Sequence, residues 1–291
     1  MQIELFLMEH EKTIRSVCFF GILIIMAIWE IVAPRRALTV SKLIRWVNNL
    51  GLVFFNSFIV WLVFPIAALG LAAFSQEHGW GLLNHFQINH IVAIIASVII
   101  LDFVIYLQHV LVHAVPILWR LHRVHHADLD YDVTTGSRFH TIEILFSMLI
   151  KFSAIIVLGP PVVAVLIFEV LLNVTAMFNH ANVRLPLKLD KVLRLFIVTP
   201  DMHRVHHSVE DDEANSNFGF SLPWWDRMFG TYRDQPREGH ENMTIGIHTF
   251  RDPKLTSWIT GMLVIPFIGK MSGYVINRRI WNNNDSSDSE K

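Results

Sequence analysis

The chain has almost no cysteine and little charge. Its one cysteine, Cys18, falls in an apolar run, which excludes an intramolecular disulfide and a Cys-rich zinc module. Without a Cys cluster an iron–sulfur centre has no ligands, and without a Gly-x-Gly-x-x-Gly fingerprint a dinucleotide fold has no phosphate cradle. Any metal must be held by nitrogen and oxygen. Only 17% of residues are charged, and a net charge of −1 gives nucleic acid no basic surface to bind. What is present instead is apolar. Of the 291 residues 53% are hydrophobic and mean hydropathy is +0.42, the balance of a membrane protein.

A helix needs about 20 apolar residues to cross a bilayer. Residues 13–33 meet that length, as do residues 89–108 and part of 46–74, which is long enough to tilt or to break near Pro65. Residues 142–178 are apolar but interrupted by Gly159-Pro160-Pro161; paired prolines end helices, so this stretch predicts a helical hairpin. Lys12 and Arg15 before the run Ser16–Trp29 imitate a signal peptide, yet Glu30 through Pro34 makes a poor cleavage site, and we read a retained first span. Residues 255–270 are apolar but short and predict an interfacial or re-entrant helix, followed from Asn282 by a polar tail expected to be disordered. The expectation is an all-α integral membrane protein with about four transmembrane helices or helical hairpins. It divides into N-terminal transmembrane helices (1–88), a catalytic unit (89–254) and an interfacial helix with its tail (255–291).

Basic residues set the expected topology. Arg35, Arg36, Lys42 and Arg45 in the loop 34–45, against no Lys or Arg in 75–88, place the first loop in the cytoplasm. Counting crossings brings 109–141 and 179–254 to the same side, the latter as a histidine-rich helical cap on the helix ends. Trp224-Trp225 and Phe229 suit either a membrane-interface anchor or an ordinary packed turn. The simple membrane architecture points to a bacterial inner membrane, or to the endoplasmic reticulum if the chain is eukaryotic.

Histidine carries the functional signal. His-Arg-Val-His-His occurs twice, at His122–His126 and His203–His207, and His109 and His113 stand just before the first copy. Positions i, i+3 and i+4 share a helical face, which lets several imidazoles meet one ion. A lone membrane histidine is ordinarily a packed residue; three clusters at ligand spacing on one side point to metal instead. Eight imidazoles are too many for one ion, so two metals are expected. Asp102, Tyr106, His109 and His113 form one polar stripe, and Asp102 is expected either to accept from the free N–H of a ligating imidazole or to pair with a basic side chain. The Glu-x-x-His motifs of soluble di-iron bundles are missing, and the residues alone leave iron and zinc both open.

The boxes His109–His113, His122–His126 and His203–His207 have the HxxxH, HxxHH and HxxHH pattern, with Asn179-His180-Ala181-Asn182 between the last two. Asn217-Phe218-Gly219, Trp225-Asp226 and Phe229-Gly230-Thr231-Tyr232 follow. In these elements the chain resembles the sterol desaturase and fatty acid hydroxylase superfamily of integral membrane oxygenases, over about residues 90–235. The resemblance implies that the eight box histidines ligate metal, that His180 is a ninth ligand, and that Asn179 and Asn182 orient it. His140 stands where relatives often have His-Pro; Thr141 departs from that, and an ordinary hydrogen-bonded histidine is expected there. His10, His78, His85, His90, His240 and His248 are taken as surface or interface residues.

The implied cofactors are two iron ions, which zinc can replace in a preparation, with dioxygen as co-substrate. The implied reaction removes hydrogen from a lipid C–H bond and gives an alcohol, or an alkene on loss of a second hydrogen. The substrate would be sterol-like, fatty acyl or ether lipid. Electrons must come from a separate reductase, ferredoxin or b-type cytochrome, because the chain has no cofactor motif of its own. Arg120, Arg123, Arg138 and Arg204 beside the boxes are candidates for docking such a carrier, or for contact with lipid heads. Two competing readings are a membrane zinc-dependent lipid hydrolase and a metal transporter. Transporter sites usually sit at the bilayer midplane, whereas these boxes fall at span ends.

Overall fold

Helix boundaries in this chain follow its prolines, glycines and polar caps. The structure, a computed structural model, describes residues 2–86 and 88–269. In chain order come α1 (Gln2–Val32), α2 (Lys42–Val63), α3 (Ala68–Glu77), α4 (Leu82–His85), α5 (His90–Ala114), α6 (Pro116–His126), α7 (Thr141–Leu158) and α8 (Val162–Asn179). Short helices follow: α9 (Leu187–Leu193), α10 (Pro200–His206), α11 (Asp211–Ala214), α12 (Trp224–Phe229), α13 (Gly239–Asn242), α14 (Pro253–Thr256) and α15 (Ile259–Val264). No strand occurs among the described residues, only isolated bridges such as Pro34 with Val183.

Phe64 is extended before Pro65 and ends α2, so the long apolar stretch does break there. Asn89 caps α5 by accepting from the Ile91 and Val92 amides. Val115 turns extended ahead of Pro116, which opens α6 at its first position. Gly159 takes φ +64° and closes α7 before the two prolines, giving the expected hairpin of α7 and α8.

Five segments are long and apolar enough to cross a membrane: Glu4–Val32, Lys42–His85, His90–Ala114, Thr141–Leu158 and Val162–Asn179. Their outward faces expose Ile24, Ile28, Phe54, Phe58, Ile91 and Ile95, a continuous apolar belt suited to lipid. One end of the bundle is closed by α3, whose Leu69 and Ala72 pack on Ile155 of α7 and Val165 of α8. At the other end meet the C-termini of α1, α5 and α8 and the N-termini of α2 and α7. There the Glu30 carboxylate accepts from the Val133 amide at 2.7 Å and the Asn182 amide at 2.9 Å, while Lys42 pairs with it at 3.1 Å. Leu23 and Met26 pack with Val133, Met177 and Val183 just beneath.

Two expectations change. Residues 255–270 do not form one helix: the chain breaks at Ser257-Trp258 and turns again at Pro266, and the pieces pack Met262 and Ile265 on Leu52 of α2 and Val124 of α6. The basic residues of 34–45 are held by protein partners. Arg35 pairs with Asp201 and Glu241, Arg36 donates to the Met243 carbonyl, and Arg45 belongs to α2, where it is fully buried against Asp128 and Asp132. The polar tail expected from Asn282 lies outside the described residues.

Candidate metal centre

Four elements deliver nine imidazoles to the end of the bundle opposite α3. His109 and His113 lie one turn apart on the last turns of α5, and His122, His125 and His126 occupy the end of α6. His180 caps α8; His203 and His206 lie on α10, which His207 caps. All nine are buried, none more than 6% exposed. They fall into two groups: His109, His113, His122, His126 and His206, then His125, His180, His203 and His207, with the ligand atoms of each group within 4.8 Å of one another. Each HxxHH box is divided between the groups. His122 and His126, at i and i+4, go to the first and His125 to the second; His203 and His207 go to the second and His206 to the first. A helical i+4 pair faces one point while i+3 faces its neighbour, so two short helices interlock two ligand sets. His126 and His207 stack across the divide, with ring centroids 4.6 Å apart.

Outer hydrogen bonds fix how the rings point. Nδ1–H of His109 donates to the Phe218 carbonyl at 2.8 Å, that of His206 to the Ser216 carbonyl at 2.8 Å, and that of His180 to the Ala176 carbonyl at 2.8 Å. His122 Nδ1–H donates to Glu143 at 2.5 Å. These tautomers, assigned from the partner each nitrogen meets, leave Nε2 of His109, His122 and His206 as the free ligand atom, while Nε2 of His180 meets Nε2 of His125 at 3.2 Å. Nε2 of His109, His122 and His206, and both ring nitrogens of His126 and His207, are buried without a hydrogen bond. Buried polar atoms are rarely left so, and a set of neutral nitrogens facing inward fits divalent transition metals such as iron or zinc. Burial, reinforced by mutual repulsion among the imidazoles, holds His125, His126, His203 and His207 well below the ordinary histidine value. Burial also lowers His180 and His206 to about 3. All six are therefore neutral at physiological pH, as ligands must be.

A cavity of about 700 Å³ reaches this centre between α1, α2, α5, α7 and α8, and His109 and His122 of one group and His125 and His203 of the other line it.

Residues 94–231 match the model of the fatty acid hydroxylase family. The matched segment takes in all nine histidines of the centre. The ornithine lipid hydroxylase OlsE of Rhizobium tropici is 30% identical over 186 residues, 64% of this chain and 54% of that protein. Alkylglycerol monooxygenase of Xenopus tropicalis is 33% identical over 154 residues, 51% of this chain and 32% of that protein. The human alkylglycerol monooxygenase is 29% identical over 182 residues, 59% of this chain and 39% of that protein. The chain thus spans about half the length, or less, of these curated relatives. No solved structure matches it.

The stretch 217–232 after the last box acts as a clamp. Asp226 accepts from the Phe218 and Gly219 amides, both at 2.8 Å, so that the Phe218 carbonyl faces His109. Asn217, at φ 53°, donates to the Met202 and Arg233 carbonyls and ties this turn to α10. Asp102 serves the same clamp: it accepts from the Ser221 and Leu222 amides and from Trp225 Nε1 at 2.8 Å. Neither role weighed for it, imidazole partner or salt bridge, is what it does here; its stripe on α5 faces that stretch. Trp225 is accordingly a packed clamp residue, while Trp224 and Phe229 are exposed. Asn179 donates to the Phe220 carbonyl, and Asn182 exchanges hydrogen bonds with the Arg36 backbone, so His180 is oriented by Ala176 rather than by either asparagine. His140 caps α7 by accepting from the Ile142 amide, the ordinary role expected.

Three of the four arginines beside the boxes cannot dock a carrier, because they are buried. Arg123 donates to the Ile265 and Ile268 carbonyls, Arg138 to the Val124 and Thr256 carbonyls, and Arg204 to Asp201 and the Ala181 carbonyl. Their planar forks pin loops to the back of the centre. His240, taken from sequence as a surface or interface residue, is buried beside Gln235.

Sequence reasoning missed two features. Glu143 is one; a carboxylate in the first turn of an apolar span was its signal. The other is the run Asp128, Asp130, Asp132 after the second box. Asp128 takes a two-pronged contact from Arg45 at 2.9 and 2.7 Å, and Asp130 accepts from the Thr39 and Val40 amides. Burial alone would raise the Asp128 carboxyl, but Arg45 and Arg138 hold it down at about 2.

Proposed function

We propose that this chain is a membrane-bound non-haem di-iron oxygenase that uses dioxygen to hydroxylate a lipid, with His109, His113, His122, His126 and His206 around one iron and His125, His180, His203 and His207 around the other. The observation that carries this reading is the division of nine buried imidazoles into two compact groups that both face a lipid-sized cavity. Bound iron supplies dioxygen activation, which a hydrocarbon C–H bond requires because it has no proton acidic enough for a side-chain base. The chain's own residues do the rest. Glu143, the Phe218 and Ser216 carbonyls and Ala176 keep the imidazoles in one tautomer and orientation. The apolar walls of the cavity exclude water and hold a chain against His109, His122, His125 and His203.

Hydroxylation is favoured over desaturation because the relatives above carry hydroxylase and monooxygenase names. Lipid substrates in the class of ornithine lipids, alkylglycerols and fatty acyl chains follow from the same names. The centre sits at the cytoplasmic ends of the spans, in a bacterial inner membrane, and takes electrons from a separate ferredoxin, b-type cytochrome or reductase. The test is lipid extraction after incubation of the iron-loaded protein with ¹⁸O-labelled dioxygen and a reducing system. Gain of one labelled oxygen in a lipid is the expected outcome. Loss of two hydrogens without label would make it a desaturase; lipid hydrolysis without oxygen uptake overturns the reading in favour of a hydrolase.

A further inference from the structure

The middle of the membrane-spanning bundle holds charges that the metal centre does not use. Lys151 and Glu169 lie near the centres of their spans, where an ionised side chain is expensive and ordinarily marks a functional site. They meet at 2.5 Å. Arg15 of α1 reaches the other Glu169 oxygen at 2.9 Å and also meets Glu11 at 2.9 Å. The α7–α8 hairpin and the distant α1 therefore bring ionised groups to one point.

That point is not packed shut. Lys12, Arg15, Lys151 and Glu169 line the same cavity as His109, His122, His125 and His203; its other carboxylate, Glu143, stands at the histidine end, and with Glu11 on Arg15 the charged end sets three cations against two carboxylates. Between the charged end and the histidine end the wall mixes apolar Ile144, Met148, Leu172 and Phe220 with polar Gln108, Ser147 and Asn173. On α7, Glu143, which holds His122, and Lys151 stand two turns apart, about 12 Å along the axis. A structural ion pair needs only Lys151 and Glu169; surplus positive charge on a cavity that runs to the histidines has the chemistry of a ligand subsite.

We propose that this cluster binds an anionic group of the lipid substrate, a carboxylate or a phosphate, through Lys12, Arg15 and Lys151, and so selects the carbon that reaches the histidine centre. The choice of carbon rests on the oxygenase reading above; anion binding at the cluster does not. An anionic head displaces Glu169 from part of its hold on the two cations and leaves the chain pointing along the cavity toward the histidines.

The test is equilibrium binding to the full, metal-loaded chain in nanodiscs of uncharged or zwitterionic lipid. Two matched pairs are compared: a fatty acid with its methyl ester, and a lysophosphatidic acid with the corresponding monoacylglycerol. The charged member is expected to bind about ten- to a hundredfold more tightly, the worth of a charge-assisted contact in a partly dry site. The pair with the larger preference identifies carboxylate or phosphate as the source. Lys12→Gln with Arg15→Gln leaves the Lys151–Glu169 pair balanced, so the buried pair survives; this variant should lose most of the preference while uncharged lipid binds and metal content stays as in the parent. In a series of acids of different length, the hydroxyl should keep a fixed distance from the charged end. Equal binding of charged and uncharged members by the parent protein overturns the subsite, as does an undiminished preference in the double variant. A clear preference with no lipid oxidised supports the subsite and counts against the oxygenase reading instead.

Discussion

Glu143 is the side chain on which the residue-scale account is most exposed. It meets His122 Nδ1 at 2.5 Å inside a site otherwise made of neutral rings, and partners of this kind orient ligands and raise their basicity. Glu143→Ala should lower metal affinity by about ten- to a hundredfold, read from a chelator titration, because comparable outer contacts are worth that much. His125→Ala and His206→Ala, one from each group, should each abolish turnover while the protein still inserts into membranes, checked by activity and membrane fractionation; wild-type turnover in both would remove the site assignment. Arg45→Ala tests the support beneath. It leaves buried Asp132 without its arginine and Asp128 with Arg138 alone, and breaking such a pair costs about 3–5 kcal/mol, visible as a large fall in melting temperature. At this scale the boxes were legible in the sequence because ligand spacing is local to one helix. Glu143 and Arg45 were not, since their partners stand 21 and 83 positions away. Asp102 was misread because a stripe on α5 says which face is polar and not which loop lies against it.

The elements matter through how closely they approach. Gly136, in the turn before α7, sits so near the end of α8 that a Cβ there would lie 2.6 Å from the Ala176 carbonyl oxygen and 3.0 Å from His180 Nδ1. Gly136→Ala should therefore displace the turn that orients His180. The expected result is loss of metal from the second group, measured as a fall in bound iron with helix content unchanged by circular dichroism. The α7–α8 hairpin and the break at Pro65 were readable because proline and glycine act within a few residues. The broken course of 255–269 was not: its mean apolarity resembles a helix, but its register is set by α2 and α6, against which Met262 and Ile265 pack. The partition of each HxxHH box between two groups was also out of reach, because it depends on how α6 and α10 face each other.

For the whole molecule, the five apolar segments form a scaffold that carries one polar, histidine-lined end. Burial keeps His180 and His206 at about 3 in the folded chain, against about 6.5 for an unfolded histidine. The unfolded state then binds more protons between those values. The contribution of these neutral imidazoles to stability is fully present above about pH 6.5 and declines as pH falls toward 3. Metal-free protein should melt at progressively lower temperature across that window, and metal-loaded protein should release its ions on acidification, since protonation competes with ligation. A flat melting profile from neutral to acidic pH would contradict the buried, neutral state of these rings. The most direct measurement of the central claim is the iron content of the protein reconstituted anaerobically, determined by elemental analysis for the parent and for a variant in which His206 and His203 are both replaced by alanine. Two irons per chain in the parent, with marked loss in the variant, is the predicted result; one iron or none in the parent, or unchanged iron in the variant, would contradict it.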